Sequence, residues 1–166
     1  MTAPKYNVLF LCTGNSARSI IAESVMNSLA ISRQRFTAYS AGSHPKGEVA
    51  PLALEALKSA GLSTEGLRSK SWDEFATPEA PKLDFVFTVC DKAGAEVCPV
   101  WPGQPMTAHW GVPDPVAVEG TEQQRRRGFD DALFVLRRRI ELFASLPLES
   151  IDSLALERKL QDIGKQ

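Results

Sequence analysis

The chain alternates short apolar segments with longer stretches in which apolar residues recur at helical spacing. The first apolar segment, Tyr6-Asn7-Val8-Leu9-Phe10-Leu11, is nearly continuous, as is typical of a strand buried on both faces of a parallel sheet. Further strands are predicted at residues 36–41, 83–89 and 106–110. Between and after these strands, the spacing of apolar positions predicts amphipathic helices.

Four helices are predicted from this spacing. The first opens at Ser16, and the second covers residues 51–61, with Pro51 in its first turn and Gly61 as its stop. The third, residues 121–143, is long, and the last runs from residue 148 to residue 163. The apolar residues expected to pack inside are Phe129, Leu133, Leu136, Ile140 and Phe143 of the third helix and Leu154, Leu156 and Leu160 of the last, whereas Arg125, Arg126, Arg127, Arg137, Arg138 and Arg139 are expected largely on a solvated face.

Strands that alternate with helices predict an α/β fold with a parallel sheet and right-handed crossovers. In open sheets of this kind, ligands bind beyond the carboxyl ends of the strands. Three of the predicted strands end at Cys12, at Cys90 and at His109-Trp110. We therefore expect the functional site at that edge of the sheet.

Composition narrows the classes of function. The 166 residues are 43% hydrophobic and 23% charged, which suits one globular domain. The net charge of −1 argues against nucleic acid or a membrane surface as a partner, so any attraction for anions must be local. The apolar run at residues 8–12 is too short for a signal peptide or a membrane span, and we expect a cytoplasmic protein. Three cysteines, an odd number, argue against a fixed disulfide framework.

The strongest chemical signal is the segment Cys12-Thr13-Gly14-Asn15-Ser16-Ala17-Arg18-Ser19, which a strand enters and a helix leaves. Backbone N–H groups in such a loop bind anions together with the positive end of the helix dipole. Gly14 permits unusual dihedrals, Asn15 tolerates a left-handed conformation, and Arg18 offers a forked donor to two oxygens of a tetrahedral anion. The remaining side chains are small, so the whole segment predicts an oxyanion-binding loop.

The same groups act on the thiol of Cys12. Inward N–H groups, the helix dipole and Arg18 favour the thiolate and predict a pKa below the ordinary value of about 8.5. Ser19 can donate a hydroxyl hydrogen bond to the sulfur. Cys12 is therefore a candidate nucleophile that attacks a tetrahedral oxyanion.

Two further cysteines, Cys90 and Cys98, lie on either side of residues 91–97, in a region rich in Gly and Pro that predicts a loop. Three interpretations remain open. A metal site made from three cysteines and a histidine lacks the Cys-x-x-Cys pair that zinc sites usually contain. Packing of Cys98 beneath Pro99 and Trp101 is ordinary for a cysteine. A thiol relay needs thiols that can move within bonding distance of an adduct on Cys12.

A candidate general acid follows the last predicted strand. Asp114 lies between Pro113 and Pro115, which hold it in a stiff, extended loop. A carboxylic acid above the anion loop can protonate a leaving oxygen, although Asp-Pro is also an ordinary turn sequence. His109 is expected to make a structural hydrogen bond, and His44 is expected to lie on the surface.

Taken together, these motifs resemble the low molecular weight tyrosine phosphatase superfamily and, within it, the arsenate reductases. The resemblance rests on Val8 to Ser19, Ala22-Glu23, Ser40-Ala41-Gly42, Ser69-Lys70-Ser71, Cys90, Cys98-Pro99, His109-Trp110-Gly111 and Asp114-Pro115. It covers roughly the first 145 residues. The resemblance therefore implies an oxyanion-binding catalytic domain at residues 1–146 and a helical extension at residues 147–166.

The resemblance also implies a fold and a mechanism. The fold is a single-domain, four-stranded parallel sheet flanked by helices. Cys12 is the nucleophile, Arg18 and the loop amides bind the oxyanion, and Asp114 is the general acid. Arsenate would form an adduct on Cys12, and attack by Cys90 would release arsenite and leave a disulfide between them. Cys98 would then form a disulfide with Cys90.

The implied cofactors and partners are few. Arsenate or phosphate is the small-molecule ligand, no cofactor is tightly bound, and the reductant is an external thiol, either thioredoxin or glutathione with glutaredoxin. No metal is required, although some relatives bind potassium near the loop. Asn15, Glu23 and Ser40 match the positions used there.

Two other functions compete with arsenate reduction. A phosphotyrosine or phosphomonoester phosphatase would need Cys12, Arg18 and Asp114 alone. Val116 follows the Asp-Pro pair where phosphatases of this family usually carry an aromatic residue, which argues against phosphotyrosine as the substrate. The second alternative is a non-catalytic oxyanion or redox sensor.

Overall fold

A computed structural model describes residues 5–90, 101 and 104–166 and contains a four-stranded parallel sheet. The strands are β1 (Tyr6–Leu11), β2 (Phe36–Ala41), β3 (Phe85–Thr88) and β4 (Met106–His109). Their order across the sheet is β2-β1-β3-β4, with every neighbouring pair parallel. The predicted α/β fold class is confirmed, and β3 is shorter at both ends than the predicted strand at residues 83–89.

The helices are α1 (Arg18–Ser28), α2 (Pro51–Ser59), α3 (Glu122–Ala144) and α4 (Ser153–Ile163). A capping box of Thr121 and Gln124 begins α3 close to its predicted start. In contrast, α4 begins at Ser153 rather than at residue 148. The carboxylate of Asp152 accepts the N–H of Ala155 at 2.9 Å and so caps the helix there.

The two faces of the sheet are buried by different elements. Val8 and Phe10 of β1 point into a core that contains apolar residues from each of the four helices in the described part of the chain. Leu9 and Leu11 point to the opposite face, where they pack with a short 3-10 helix at Trp72–Phe75 and with Trp101. Since successive residues of a strand face opposite sides, burial on both faces explains the continuous apolar run in β1.

Two predicted positions on the C-terminal helices are wrong. Leu154 was expected to pack but is 60% exposed, whereas Leu156 and Leu160 are buried as predicted. Arg139 was expected on the solvated face of α3 and is buried with only 6% of its surface exposed. Its Nη1 donates to main-chain carbonyls from outside the helix, a tertiary contact that helical periodicity does not reveal.

The carboxyl ends of three strands meet at one edge of the sheet. The N–H of Val89 donates to the carbonyl of Leu11 at 2.8 Å, and the N–H of Val112 donates to the carbonyl of Val89 at 3.0 Å. These bonds continue the sheet past the strand ends and bring Cys12, Cys90 and the residues after Trp110 together. Within the described ranges, no helix is long and apolar enough to cross a bilayer.

Candidate active site

The loop after β1 turns its carbonyl groups toward a neighbouring segment. The carbonyl of Thr13 accepts the N–H of His44 at 2.9 Å, and that of Gly14 accepts the N–H of Lys46 at 3.0 Å. The carbonyl of Ser16 accepts the N–H of Ala50 at 2.8 Å. The residue before α1, Ala17, has no polar side chain to cap the helix, which begins directly after the loop. With the carbonyls engaged elsewhere and the first N–H groups of α1 uncapped, the loop is suited to bind an anion.

Asn15 and Ser19 hold the loop from behind. Asn15 has a φ of 43°, in the left-handed region that the sequence predicted for it. Its amide oxygen accepts the N–H of Lys70 at 2.8 Å, and its amide nitrogen donates to the hydroxyl of Ser19 at 2.7 Å. Both side chains are fully buried. The hydrogen bonds of Asn15 to Ser19 and to Lys70 therefore fix the conformation of the loop.

Gly42 allows the next segment to lie against the loop. A β-carbon at this position would lie 2.5 Å from the carbonyl oxygen of Thr13 and 2.8 Å from that of Cys12. Both are main-chain atoms, which cannot move without distorting the loop. Gly42 also donates its N–H to the carbonyl of Lys70 at 2.9 Å, so the close approach is fixed on its other side.

An open cavity of about 430 Å³ lies over the loop. Eight of the predicted site residues line it: Cys12, Thr13, Gly14, Ser16, Ala17, Arg18, Cys90 and Asp114. Four more come from two other segments: His44, Lys46, Val112 and Pro113. The cavity thus gathers the nucleophile, the second thiol, the arginine and the acid that the sequence predicted for one site.

Arg18 joins the loop to the segment that carries the candidate acid. One guanidinium nitrogen, Nη1, donates to the carbonyl of Val112 at 2.9 Å, and Nη2 lies 3.7 Å from Oδ2 of Asp114. The other carboxylate oxygen of Asp114 accepts the N–H of Val116 at 3.0 Å and caps a 3-10 helix at Pro115–Ala117. The Asp114 side chain is 41% exposed, and Asp114 lines the cavity.

Cys12 and Cys90 form a buried pair of thiols in contact. Cys12 is 5% exposed and Cys90 is 2% exposed. The sulfur of Cys90 also accepts the N–H of Thr13, the residue after Cys12, at 3.4 Å. The predicted approach of a second thiol to Cys12 is therefore built into the folded chain.

The protonation of Cys12 differs from the sequence prediction. The hydrogen bond with Cys90 and burial raise the pKa of Cys12 above its ordinary value, whereas Arg18 and the N–H of Gly14 lower it by less. The lowered pKa expected from the sequence depends on the loop alone, whereas in the structure the sulfur of Cys90 also acts on Cys12. Two thiols in contact titrate as a pair, and a negative charge on one disfavours a charge on the other.

Cys98, the third cysteine, lies outside the described residues, as do Pro99 and residues 91–97. The structure therefore places two of the three predicted relay thiols. Among residues 5–90, 101 and 104–166, no group of three or more His, Cys, Asp or Glu side chains is arranged to hold a metal ion.

A lysine lies where the sequence suggested a potassium site. The carboxylate of Glu23 accepts a hydrogen bond from the hydroxyl of Ser40, so two of the three expected potassium ligands lie together. The ammonium of Lys70, however, lies 3.7 Å from Oε1 of Glu23 and donates to the carbonyl of Arg68 at 3.0 Å. The chain's own cation thus lies beside the Glu23 carboxylate that the potassium ion would contact, so this carboxylate does not fit an additional monovalent cation.

Comparison with known proteins agrees with this geometry. The family model for low molecular weight phosphotyrosine protein phosphatase matches residues 7–153. The chain belongs to this family. Among curated members, the arsenate reductase of Halalkalibacterium halodurans is 35% identical over 137 residues, which cover 82% of this chain and 94% of the relative. The resemblance seen in the sequence motifs is thereby confirmed for the family.

Solved structures of the family share the fold. An arsenate reductase from Archaeoglobus fulgidus superimposes with a TM-score of 0.63 at 25% identity, covering 84% of this chain and 99% of that one. A thioredoxin-dependent arsenate reductase from Corynebacterium glutamicum gives a TM-score of 0.55 at 26% identity and covers 86% and 65% of the two chains. The four-stranded parallel sheet is thus the family's architecture.

Two residues at the mouth of the cavity, His44 and Lys46, are not predicted as site residues by the sequence. His44 was expected only on the surface, and it is exposed, but it also lines the cavity. Lys46 was not singled out, yet its side chain lies across Gly14, where an added β-carbon would be 3.2 Å from its Cε. The glycine and proline residues around His44 and Lys46 predict a turn. The position of this turn over the loop depends on tertiary hydrogen bonds, which the sequence does not show. His109 contacts the hydroxyl of Thr88 at 2.6 Å, as predicted for a structural histidine.

Proposed function

We propose that this chain is an arsenate reductase that uses Cys12 as its nucleophile and Cys90 as its resolving thiol. The single observation that carries the proposal is the contact between these two buried sulfurs beside an oxyanion loop. Hydrolysis of a phosphate ester needs one thiol, whereas reduction of arsenate by a thiol relay needs a second within bonding distance of the first. Curated relatives of the family at 35% and 34% identity are named arsenate reductases, which supports the same choice.

The first step is binding of arsenate in the cavity over residues 12–18. The loop amides, the start of α1 and the Arg18 guanidinium supply the hydrogen bonds and positive charge for its oxygens. Because Cys90 and burial raise the pKa of Cys12, we propose that the thiol proton passes to an oxygen of the arsenate dianion. The thiolate then attacks arsenic while Arg18 stabilises the negative oxygens.

The second step is loss of one arsenate oxygen as water. A sulfur–arsenic bond forms on Cys12 and an arsenic–oxygen bond breaks. Asp114, which lies 3.7 Å from Arg18 on the cavity wall, is proposed to give the departing oxygen its proton. Its exposure allows reprotonation from solvent after each turnover.

The third step transfers two electrons to arsenic. Cys90 passes its thiol proton to an oxygen of the adduct and its sulfur attacks the sulfur of Cys12. A disulfide forms, the sulfur–arsenic bond breaks, and its electron pair remains on arsenic. Arsenic(V) thereby becomes arsenic(III), which leaves as arsenite. Cys98 is proposed to attack Cys90 next, which frees Cys12 and presents a Cys90–Cys98 disulfide to an external thiol. Thioredoxin is the proposed reductant, since the Corynebacterium glutamicum neighbour is thioredoxin-dependent, and glutathione with glutaredoxin is the alternative.

The decisive experiment separates reduction from hydrolysis by changing Cys90 alone. We expect Cys90→Ser to abolish arsenite production while hydrolysis of p-nitrophenyl phosphate, if the wild type catalyses it, persists. Cys12→Ser should lose both. NADPH oxidation with arsenate is measured side by side with thioredoxin and glutaredoxin systems. Full arsenate turnover by the Cys90→Ser variant would exclude the relay.

A phosphatase remains the second candidate because Arg18 and Asp114 are placed as that reaction needs them. Such an enzyme would keep its full activity in the Cys90→Ser variant and produce no arsenite in the wild type. The same assays therefore decide between the two functions.

A further inference from the structure

A buried arginine on α3 binds the segment that leads from β4 to the candidate acid. Nη1 of Arg139 donates to the carbonyl of Trp110 at 2.8 Å and to that of Gly111 at 3.0 Å. Nη2 donates to the main-chain oxygen of Gln166 at 3.3 Å. A single guanidinium therefore ties the strand-end segment to the residues after α4.

Burying the charged side chain of Arg139 costs free energy of desolvation. Only 6% of its surface is exposed, and its Nε atom has no hydrogen-bond partner among the described residues. Burial lowers the pKa of the guanidinium. Because a buried charged group is costly unless it is hydrogen-bonded, the guanidinium needs the carbonyls of Trp110 and Gly111 as partners.

The helix α4 contacts the same segment from another side. The indole N–H of Trp110 donates to the carbonyl of Leu160 at 2.9 Å, and the indole is fully buried and stacked on Phe87 at 3.9 Å. A β-carbon on Gly164 would lie 2.4 Å from the carbonyl oxygen of His109 and 2.9 Å from Cδ1 of Trp110. There is therefore no room for a side chain at position 164.

The segment held in this way supplies the far wall of the active site. Val112, which follows Gly111, gives its carbonyl to Arg18 at 2.9 Å and its N–H to the carbonyl of Val89 at 3.0 Å. Asp114 comes two residues later and faces Arg18. The carbonyl that orients Arg18 is thus one residue from a carbonyl that Arg139 binds.

We propose that Arg139, together with α4, is a positioning residue for the oxyanion site. It fixes Trp110 and Gly111 so that the Val112 carbonyl orients the Arg18 guanidinium toward the bound oxyanion. Arg139 itself does not line the cavity over the loop, so its effect on the ligand passes through Arg18. This proposal rests on the oxyanion site of the proposed function and does not depend on the thiol relay.

The test measures oxyanion binding without arsenate turnover. Inorganic phosphate is titrated against alkylation of Cys12 by iodoacetamide, and the protection midpoint gives an apparent Kd. We expect Arg139→Met to raise this midpoint by roughly tenfold, the effect of misplacing one hydrogen-bonded partner of a charged group. Arg138→Met changes the preceding residue of the same helix, which is an exposed arginine; it is the matched control and should match the wild type.

Two further variants keep the test decisive if Arg139→Met does not fold. Arg139→Lys keeps the positive charge but lacks the two terminal nitrogens of the guanidinium. Gly164→Ala adds a β-carbon that would clash with the carbonyl of His109 and the ring of Trp110. Both should raise the phosphate midpoint, and unfolding temperatures are recorded for every variant. Folded variants with lower unfolding temperatures but wild-type phosphate midpoints would mean that Arg139 only stabilises the fold, which overturns the proposal alone. A wild-type protein that phosphate does not protect would overturn the oxyanion site and, with it, the proposed function.

Discussion

At the scale of single residues, the two sulfurs of Cys12 and Cys90 set each other's chemistry. The contact that lets Cys90 resolve an adduct also makes Cys12 harder to ionise before substrate arrives. Without Cys90, burial alone would oppose the lowering of the Cys12 pKa by Arg18 and the N–H of Gly14. Cys90 therefore lowers the reactivity of Cys12 in the free enzyme, and the same contact allows Cys90 to complete a reduction.

Removing Cys90 should lower the pKa of Cys12. Its hydrogen bond with Cys12 is the largest cause of the raised pKa, so Cys90→Ala leaves the lowering by Arg18 and Gly14 less opposed. In a Cys98→Ser background, alkylation of Cys12 by iodoacetamide at neutral pH should become faster in the Cys90→Ala variant, and its pH profile should shift to lower pH. The Cys98→Ser protein itself is the reference. An unchanged or higher midpoint would show that the two thiols do not interact.

Lys70 should make the activity independent of potassium. Its ammonium already contacts the Glu23 carboxylate and the Arg68 carbonyl, and its N–H holds Asn15 in the loop. Arsenate turnover in KCl and in NaCl at equal ionic strength should therefore be the same. Lys70→Met should lower turnover and the unfolding temperature, because the loss of one partner leaves the half-buried Glu23 without its cation.

The control for this prediction is Lys58→Met, which removes an exposed lysine at the end of α2. It should match the wild type in both salts. Stimulation of the wild-type protein by potassium would contradict the role given to Lys70.

At the scale of elements, the sequence predicts whatever depends on neighbouring positions in the chain. The continuous apolar run of β1 and the helical spacing of α3 are local signals of burial, and both elements are found where they were predicted. The loop at residues 12–18 is also a local feature, so its ability to bind an oxyanion could be predicted from the sequence. Arg139, Lys70 and Lys46 were not anticipated in their places, because the carbonyls and carboxylate that they contact come from distant segments.

Gly42 provides a test of how tightly two elements meet. A β-carbon there would lie 2.5 Å from the Thr13 carbonyl oxygen, so Gly42→Ala must displace the loop or the end of β2. We expect a loss of unfolding free energy of about 1 to 3 kcal/mol, typical of overpacking, and a higher phosphate midpoint in the alkylation assay. Ser43→Ala, one position further, is the control. If Gly42→Ala bound phosphate as tightly as the wild type, the close approach would not be needed for the loop's geometry.

At the scale of the whole molecule, one edge of the sheet collects the site from four separate segments. The loop after β1, the segment at residues 42–50, the end of β3 and the segment after β4 all reach the cavity because parallel strands end on the same side. The family match ends at residue 153, close to the start of α4. The division into a catalytic domain at residues 1–146 and an extension at 147–166 remains a proposal, and the contacts of Trp110 with α4 indicate that the two would fold together.

Because the net charge is −1, attraction for an anion has to come from this edge and not from the molecule as a whole. Inorganic phosphate should therefore raise the unfolding temperature in proportion to its binding to the folded chain, with about 2.7 kcal/mol of added stability at one hundred times its Kd. The same ionic strength of NaCl should have little effect. Arg18→Met should lose most of this stabilisation, since it removes the guanidinium that binds the oxyanion, whereas Arg138→Met on the exposed face of α3 should keep it. Equal stabilisation of the Arg18→Met protein would place the phosphate somewhere other than the loop after β1.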